Sequence, residues 1–96
     1  KILITLIALG SMAMASDGAA LYKKCVACHG VNGEKPALGK SLVINKMAKD
    51  ELVSALSGYK DGSYGKSMKA LMKGQVAKLE NSDIDALAEY IATLKQ

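Results

Sequence analysis

Arginine, tryptophan and phenylalanine are absent from this sequence, and four tyrosines are its only large aromatic residues. A small domain with so few aromatic side chains has a thin apolar core and usually needs a staple or a bound group for stability. The lack of arginine and of an aromatic cluster argues against nucleic-acid binding, although the formal net charge is +4. We therefore expect no nucleic-acid partner.

Cysteine and histidine are also scarce, because two cysteines and one histidine are too few for the four ligands of a structural zinc site. All three residues fall in the segment Cys25-Val26-Ala27-Cys28-His29, which is a C-x-x-C-H motif. Residues three and four apart share one face of a helical turn, so the two thiols and the imidazole can address one flat ligand. The motif is typical of covalent attachment of a c-type haem, with each cysteine forming a thioether and the histidine ligating the iron.

Other uses of the two cysteines are a haem-free dithiol or a structural disulfide. A thioredoxin-like dithiol is expected within a βαβ pattern, which this sequence does not show. A haem would supply the apolar mass that the side chains lack. We therefore expect the haem-free chain to be largely unfolded.

The apolar stretch at the start of the chain is short. The run Ile2–Leu9 follows a lysine and precedes Ala13-Met14-Ala15, which has the small residues at which signal peptidases cleave. Because this stretch is too short to span a bilayer comfortably, we expect residues 1–15 to be a signal peptide, cleaved after Ala15 or Ser16. The exported domain is then residues 17–96, and an uncleaved leader is the alternative.

Helical patterns follow this leader. Asp17 is the predicted N-cap of a first helix that runs into the C-x-x-C-H motif, and residues 30–46 are predicted to be mostly loop. A second helix is predicted to begin near Asp50 and to end around Gly58 and Gly62. Its apolar stripe is Leu52, Ala55, Leu56 and Tyr59.

Two more helices are predicted towards the end of the chain. A short one covers Lys66 to Met72 and stops before Gly74, and the last is capped by Ser82. The apolar stripe of the last helix is Ile84, Leu87, Ala88, Ile91 and Leu94. Since no strand pattern occurs, the sequence predicts an all-α fold.

A methionine thioether is the leading candidate for the second axial ligand of the iron, since Met/His ligation is usual in electron-transfer cytochromes. Three methionines, Met47, Met68 and Met72, lie outside the leader, and each could instead be a core filler. Met68 and Met72 belong to the later segment, which can return over the opposite haem face. Met72 has a modest preference because it abuts Lys73-Gly74, where a helix end would let its side chain project inward.

The chain resembles the class I c-type cytochromes, and among them the small bacterial cytochrome c-553 group. The segments that carry this resemblance are Asp17–Lys23, Cys25–Gly30, Gly58-Tyr59, Asp61–Gly65, Lys69–Met72 and Ala86–Tyr90. The resemblance implies a small single-domain class I cytochrome c fold, with helices and loops wrapped around one covalently bound haem c.

The resemblance also implies roles for individual residues. Cys25 and Cys28 would bind haem covalently, His29 would be the proximal iron ligand, and Met72 the distal one. Pro36 would belong to the loop whose carbonyl orients the imidazole.

Further contacts follow from the resemblance and from the haem itself. The first and last helices would cross, with Gly18 and Tyr22 meeting Leu87 and Tyr90. Tyr59 and Tyr64 would contact the haem, either through its propionates or by packing against its edge.

The function expected from these residues is one-electron transfer by a soluble periplasmic carrier, monomeric and not an enzyme. Redox proteins are the expected partners, and an acidic patch on the partner is expected to dock near the exposed haem edge. No membrane insertion is expected after leader cleavage. The lysines expected beside that edge are Lys23, Lys24, Lys66, Lys69 and Lys73, although each could simply solvate its helix. The alternative is a haem enzyme or gas sensor with an open distal site, which the commitment of the one histidine to iron disfavours.

Overall fold

The computed structural model describes residues 17–39 and 41–94, so the predicted leader, residues 1–15, lies outside the described residues. Within the described ranges the chain forms helices and no strands, which confirms the predicted all-α fold. The α-helices are α1 (Gly18–Tyr22), α2 (Val26–His29), α3 (Lys49–Asp61), α4 (Lys69–Val76) and α5 (Asn81–Ala92). Single-turn 3-10 helices span Lys23–Cys25, Ala37–Gly39 and Ile44–Lys46.

Helix α1 begins where the sequence predicts. The carboxylate of Asp17 accepts hydrogen bonds from the backbone N–H groups of Ala19 at 3.1 Å and Ala20 at 3.3 Å, which satisfies donors that the first turn leaves free. The 3-10 turn then leads directly into α2, and Gly30 ends that helix with φ of 89°. The motif therefore lies on helical backbone from Cys25 to His29, as predicted.

Helix α3 begins as expected but does not end at Gly58. The side chain of Glu51 accepts a hydrogen bond from the backbone N–H of Ala48 at 2.8 Å, which caps the start of the helix. Gly58 lies inside the helix and is buried, and the chain leaves the helix only at Gly62, which has φ of 88°. The prediction for Gly62 is confirmed and that for Gly58 is wrong, because a glycine inside a helix costs only about 1 kcal/mol.

Helices α4 and α5 differ from prediction at their ends. The predicted helix from Lys66 to Met72 instead starts at Lys69 and continues through Gly74 to Val76. Val76 is buried, and burying such a side chain stabilises by about 1.5–3 kcal/mol, more than an internal glycine costs.

The predicted cap at Ser82 is also wrong. Helix α5 starts at Asn81 with Glu80 as N-cap, and the carboxylate of Asp83 accepts a hydrogen bond from the backbone N–H of Glu80 at 3.0 Å. The helix ends at Ala92, so Leu94 lies beyond it.

The core lies where α5 packs against both α1 and α3, while α3 also packs against α4. The crossing of α1 and α5 is close, since a Cβ added to Gly18 would overlap the carbonyl oxygen of Ala86 and lie 2.7 Å from Cβ of Tyr90. The rings of Tyr22 and Tyr90 pack with their centroids 5.6 Å apart, and Tyr22 and Leu87 belong to the same buried cluster. The predicted crossing is confirmed.

Buried Asn45 joins the long loop to the segment that follows α5 by hydrogen bonds. Its side-chain amide donates to the carbonyl oxygens of Asn32 at 2.9 Å and Leu94 at 3.3 Å, and its backbone N–H donates to the carbonyl oxygen of Gly33 at 3.1 Å. These bonds hold the loop that forms one wall of the cavity described next.

Candidate functional site

A cavity of about 610 Å³ lies among the helices. This volume is within the range of about 300–1,000 Å³ found for ligand and cofactor sites. Its apolar walls come from the long loop, from α3, from α4 and from α5. The aliphatic residues that line it are Ala37, Leu38, Leu42, Ile44, Leu52, Ala55, Leu56, Leu71, Val76, Leu79, Leu87 and Ile91.

The C-x-x-C-H motif forms one side of this cavity. Cys25, Cys28 and His29 all line it, so the helical backbone of the motif brings both thiols and the imidazole to the same space. Both cysteines are free and partly buried. The three side chains that the sequence analysis selected therefore meet at one site.

Burial affects the protonation of both His29 and Cys25. Burial lowers the pKa of His29 and so favours the neutral imidazole, which is the form that binds metals. Its Nδ1 is buried and has no hydrogen-bond partner among the described residues. Burial also raises the pKa of Cys25, so its sulfur is held as a thiol. A buried imidazole and two free, partly buried cysteines beside an apolar cavity fit a haem.

All three candidate methionines line the cavity. Met72 lies in the first turn of α4 and packs against the buried core, and Met68 is the N-cap residue of the same helix. Met47 precedes α3 and also packs against the core. The structure thus brings Met47, Met68 and Met72 to the same cavity as the motif.

Tyr59 and Tyr64 line the cavity together. Their rings form an edge-to-face pair with centroids 5.0 Å apart. Glycines allow this close arrangement, since a Cβ on Gly65 would lie 2.5 Å from the Tyr59 ring and one on Gly58 would lie 2.5 Å from Cβ of Tyr64. The two tyrosines therefore pack on each other at the cavity wall, and burial raises the pKa of Tyr59.

Two of the five lysines expected near the site, Lys24 and Lys66, line the cavity. Lys23, Lys69 and Lys73 are outside its lining. The pKa of Asp61 is lowered mainly by its hydrogen bonds with Ser63, and the positive charges of Lys73 and Lys69 lower it further. No carboxylate occurs in the described lining of the cavity. The charge at this site is therefore positive.

Exposed leucines at the rim were missed by the sequence analysis. Leu38 and Leu42 are 62% and 63% exposed, and Leu71 of α4 is 45% exposed, yet all three line the cavity. Leu38 also has a φ of 53°, a strained value for a residue with a side chain. For Leu38 and Leu42 the available signal was the presence of leucines in a loop that is otherwise rich in glycine and polar residues.

Pro36 takes a different contact from the one that the resemblance implies. Its carbonyl oxygen accepts a hydrogen bond from the backbone N–H of Gly39 at 2.8 Å, whereas Nδ1 of His29 has no partner among the described residues. The imidazole is therefore not oriented by a hydrogen bond to Pro36 in this structure.

Comparison with known proteins gives concordant matches. The family model for cytochrome c matches residues 15–95. Cytochrome c-553 of Nitratidesulfovibrio vulgaris (strain Miyazaki F) is 46% identical over 84 residues, which cover 88% of this chain and 82% of that protein. Cytochrome c-553 of Helicobacter pylori (strain J99) is 43% identical over 97 residues, covering 99% of this chain and 98% of that protein. No helix among the described residues is long and apolar enough to cross a membrane.

Proposed function

We propose that this chain, which belongs to the cytochrome c family, is a periplasmic one-electron carrier with His/Met ligation. The family gives it a covalently bound haem c and the role of a small c-type electron carrier. The observation that carries this proposal is the meeting of Cys25, Cys28 and the buried His29 on one side of the apolar cavity.

The two cysteines and the histidine of the motif each have one role in this proposal. Cys25 and Cys28 form the two thioether bonds, and His29 is the proximal ligand of the iron. When bound, the haem supplies an iron that alternates between the ferrous and ferric states. The surrounding leucines and isoleucines exclude water and keep the ligands in place, so that little rearrangement accompanies electron transfer.

Met72 is the proposed distal ligand. It lies on regular helical backbone in α4 and packs against the core, so its side chain has a firmer support than that of Met68 at the N-cap. A thioether in this position raises the reduction potential and closes the iron to other ligands. Tyr59 and Tyr64 are proposed to cover an edge of the haem from the cavity wall.

The lysines give the carrier its preference for partners. Lys24 and Lys66 line the cavity, so they are proposed to meet an acidic patch on a redox partner near the exposed haem edge. Such steering speeds association at low salt and weakens as salt is added. The carrier is proposed to act as a monomer.

Export is the remaining part of the proposal. Residues 1–15 are proposed to be a signal peptide that delivers residues 17–96 to the periplasm, where haem is attached. The mass of the protein purified from the periplasm tests this directly, since a mature chain that begins at Ser16 or Asp17 supports it and one that retains Lys1 contradicts it.

The ligand assignment is tested by comparing Met72→Ala with Met68→Ala in the haem-loaded protein. We expect Met72→Ala to lose the weak long-wavelength absorption band of ferric Met-ligated haem and to bind added imidazole or carbon monoxide readily. Met68→Ala is the matched control and should keep the band. The reverse result would make Met68 the distal ligand. A high-spin spectrum of the unmodified protein would indicate an open distal site, as in a haem enzyme or gas sensor.

A further inference from the structure

The hydroxyl group of Tyr22 links helix α1, which precedes the C-x-x-C-H motif, to the residue that follows the motif. Tyr22 precedes the motif in α1, and its hydroxyl donates a buried hydrogen bond of 2.6 Å to the carbonyl oxygen of Gly30, the residue that follows His29. The bond therefore joins the residues on either side of Cys25–His29. Tyr22 is only 2% exposed, so water does not compete for this contact.

Gly30 is held firmly on its other sides. Its backbone N–H donates to the carbonyl oxygen of Val26 at 2.8 Å, and its own carbonyl oxygen also accepts from the N–H of Gly33 at 3.2 Å. The φ of Gly30 is 89°, and a Cβ at this position would overlap the carboxylate of Glu34. The direction of the Gly30 carbonyl is therefore set by a positive φ that favours glycine, together with the Tyr22 hydroxyl.

The hydroxyl of Tyr22 has a role separate from the packing of its ring. The ring meets Tyr90 with centroids 5.6 Å apart, a contact that phenylalanine would keep. Burial raises the pKa of Tyr22 to about 12, so the hydroxyl keeps its proton well into the alkaline range. Removing only the oxygen would leave the crossing of α1 and α5 in place and release the Gly30 carbonyl.

We propose that Tyr22 is a positioning residue for iron ligation, because its hydrogen bond to Gly30 fixes the backbone on which the His29 imidazole is oriented. The inference rests on the proposed role of His29 as proximal ligand. His29 is buried and is the last residue of α2, so the position of its imidazole depends on the backbone that leaves the motif at Gly30. Beyond the motif, that backbone is held by Tyr22 and by the bond of 3.0 Å from the N–H of Lys35 to the carbonyl oxygen of His29.

The test compares Tyr22→Phe with Tyr90→Phe in the haem-loaded protein. The spread of the haem methyl shifts in the ferric NMR spectrum reports the orientation of the axial ligands, and we expect Tyr22→Phe to change it. Hydrogen exchange at the amides of Gly33 and Lys35 should become about fivefold faster, as expected for the loss of one buried hydrogen bond. Tyr90→Phe keeps the Gly30 bond and should leave both measurements unchanged.

A wild-type pattern of haem methyl shifts in Tyr22→Phe, with only a lower denaturation midpoint, would overturn the proposal and leave Tyr22 a packing residue. If His29 proved not to be the iron ligand, the proposed function would fail, while the amide exchange would still decide whether Tyr22 holds the exit of the motif. The unmodified protein offers a check without any variant. The hydroxyl proton of Tyr22 should give a slowly exchanging NMR signal with a through-space contact to Gly30, and its absence would count against the bond.

Discussion

Replacing Gly18 by alanine tests the crossing of α1 and α5. The new methyl group would overlap the carbonyl oxygen of Ala86 and lie 2.7 Å from Cβ of Tyr90. The carbonyl belongs to helix backbone and cannot turn aside, so the two helices would have to move apart. Tyr22, Leu87 and their buried neighbours would lose contact as a result.

The magnitude follows from two opposing effects. Alanine favours a helix over glycine by about 1 kcal/mol, while forcing an extra carbon into a packed interface costs typically about 1–3 kcal/mol and occasionally more. The overlap with backbone places this site at the upper end of that range. The difference is a net destabilisation, and we therefore expect Gly18→Ala to lower the free energy of unfolding by about 2 kcal/mol.

Gly74→Ala is the matched control, because Gly74 lies in α4 and a Cβ there would meet nothing within 4 Å. It should raise stability by about 0.5–1 kcal/mol, since only the helix preference remains. The assay is denaturant unfolding of both haem-loaded variants, followed by far-UV circular dichroism. Equal or greater stability of Gly18→Ala relative to the unmodified protein would refute the close crossing.

Three further predictions concern the core, the alkaline limit and the haem. Leu87 is 2% exposed, so Leu87→Ala should cost about 2–5 kcal/mol in denaturant unfolding, and a loss below about 1 kcal/mol would contradict its burial. The pKa of Tyr22 is about 12 in the folded state against 10.0 for the free side chain. The protonated hydroxyl therefore contributes fully to the free energy of unfolding below pH 10, and this contribution is lost as pH rises towards 12. Over that interval the unmodified protein should lose about 1–3 kcal/mol more stability than Tyr22→Phe, and parallel profiles would argue against the shift. A Cys25→Ala, Cys28→Ala double variant without haem should lack cooperative thermal unfolding by circular dichroism, because the apolar lining of the cavity of about 610 Å³ would have no haem to pack against. A sharp cooperative transition would contradict this expectation.

The sequence predicted best those features that depend on neighbouring residues. Apolar stripes identified α3 and α5, Asp17 identified the start of α1, and five consecutive residues identified the motif. These signals are local, because helix periodicity and capping act within one or two turns. The resemblance to class I cytochromes then supplied the crossing of the first and last helices.

Helix ends were predicted less well, since tertiary burial decides them. Gly74 reads as a stop signal in the sequence, but the buried Val76 carries α4 past it. Likewise, Ser82 is a good capping residue by type, yet Asp83 caps the backbone at Glu80 and moves the start of α5.

The distribution of residues around the cavity also depends on the folded arrangement. Leu38 and Leu71 are distant in sequence and come to one rim only when the loop and α4 meet the same space. The sequence could not separate Met68 from Met72 by position, and both line the cavity in the structure. Distinguishing them requires a measurement on the iron.

The contact between α1 and α5 has a consequence for the order of events during biosynthesis. Helix α5 spans residues 81–92 and is made long after Gly18, so the interface between these helices cannot form until most of the polypeptide has been synthesised. Until then the segment that carries Cys25 and Cys28 belongs to an incomplete domain. If the chain is exported before it folds, as the proposed signal peptide implies, the two cysteines would be accessible for haem attachment until α1 and α5 come together.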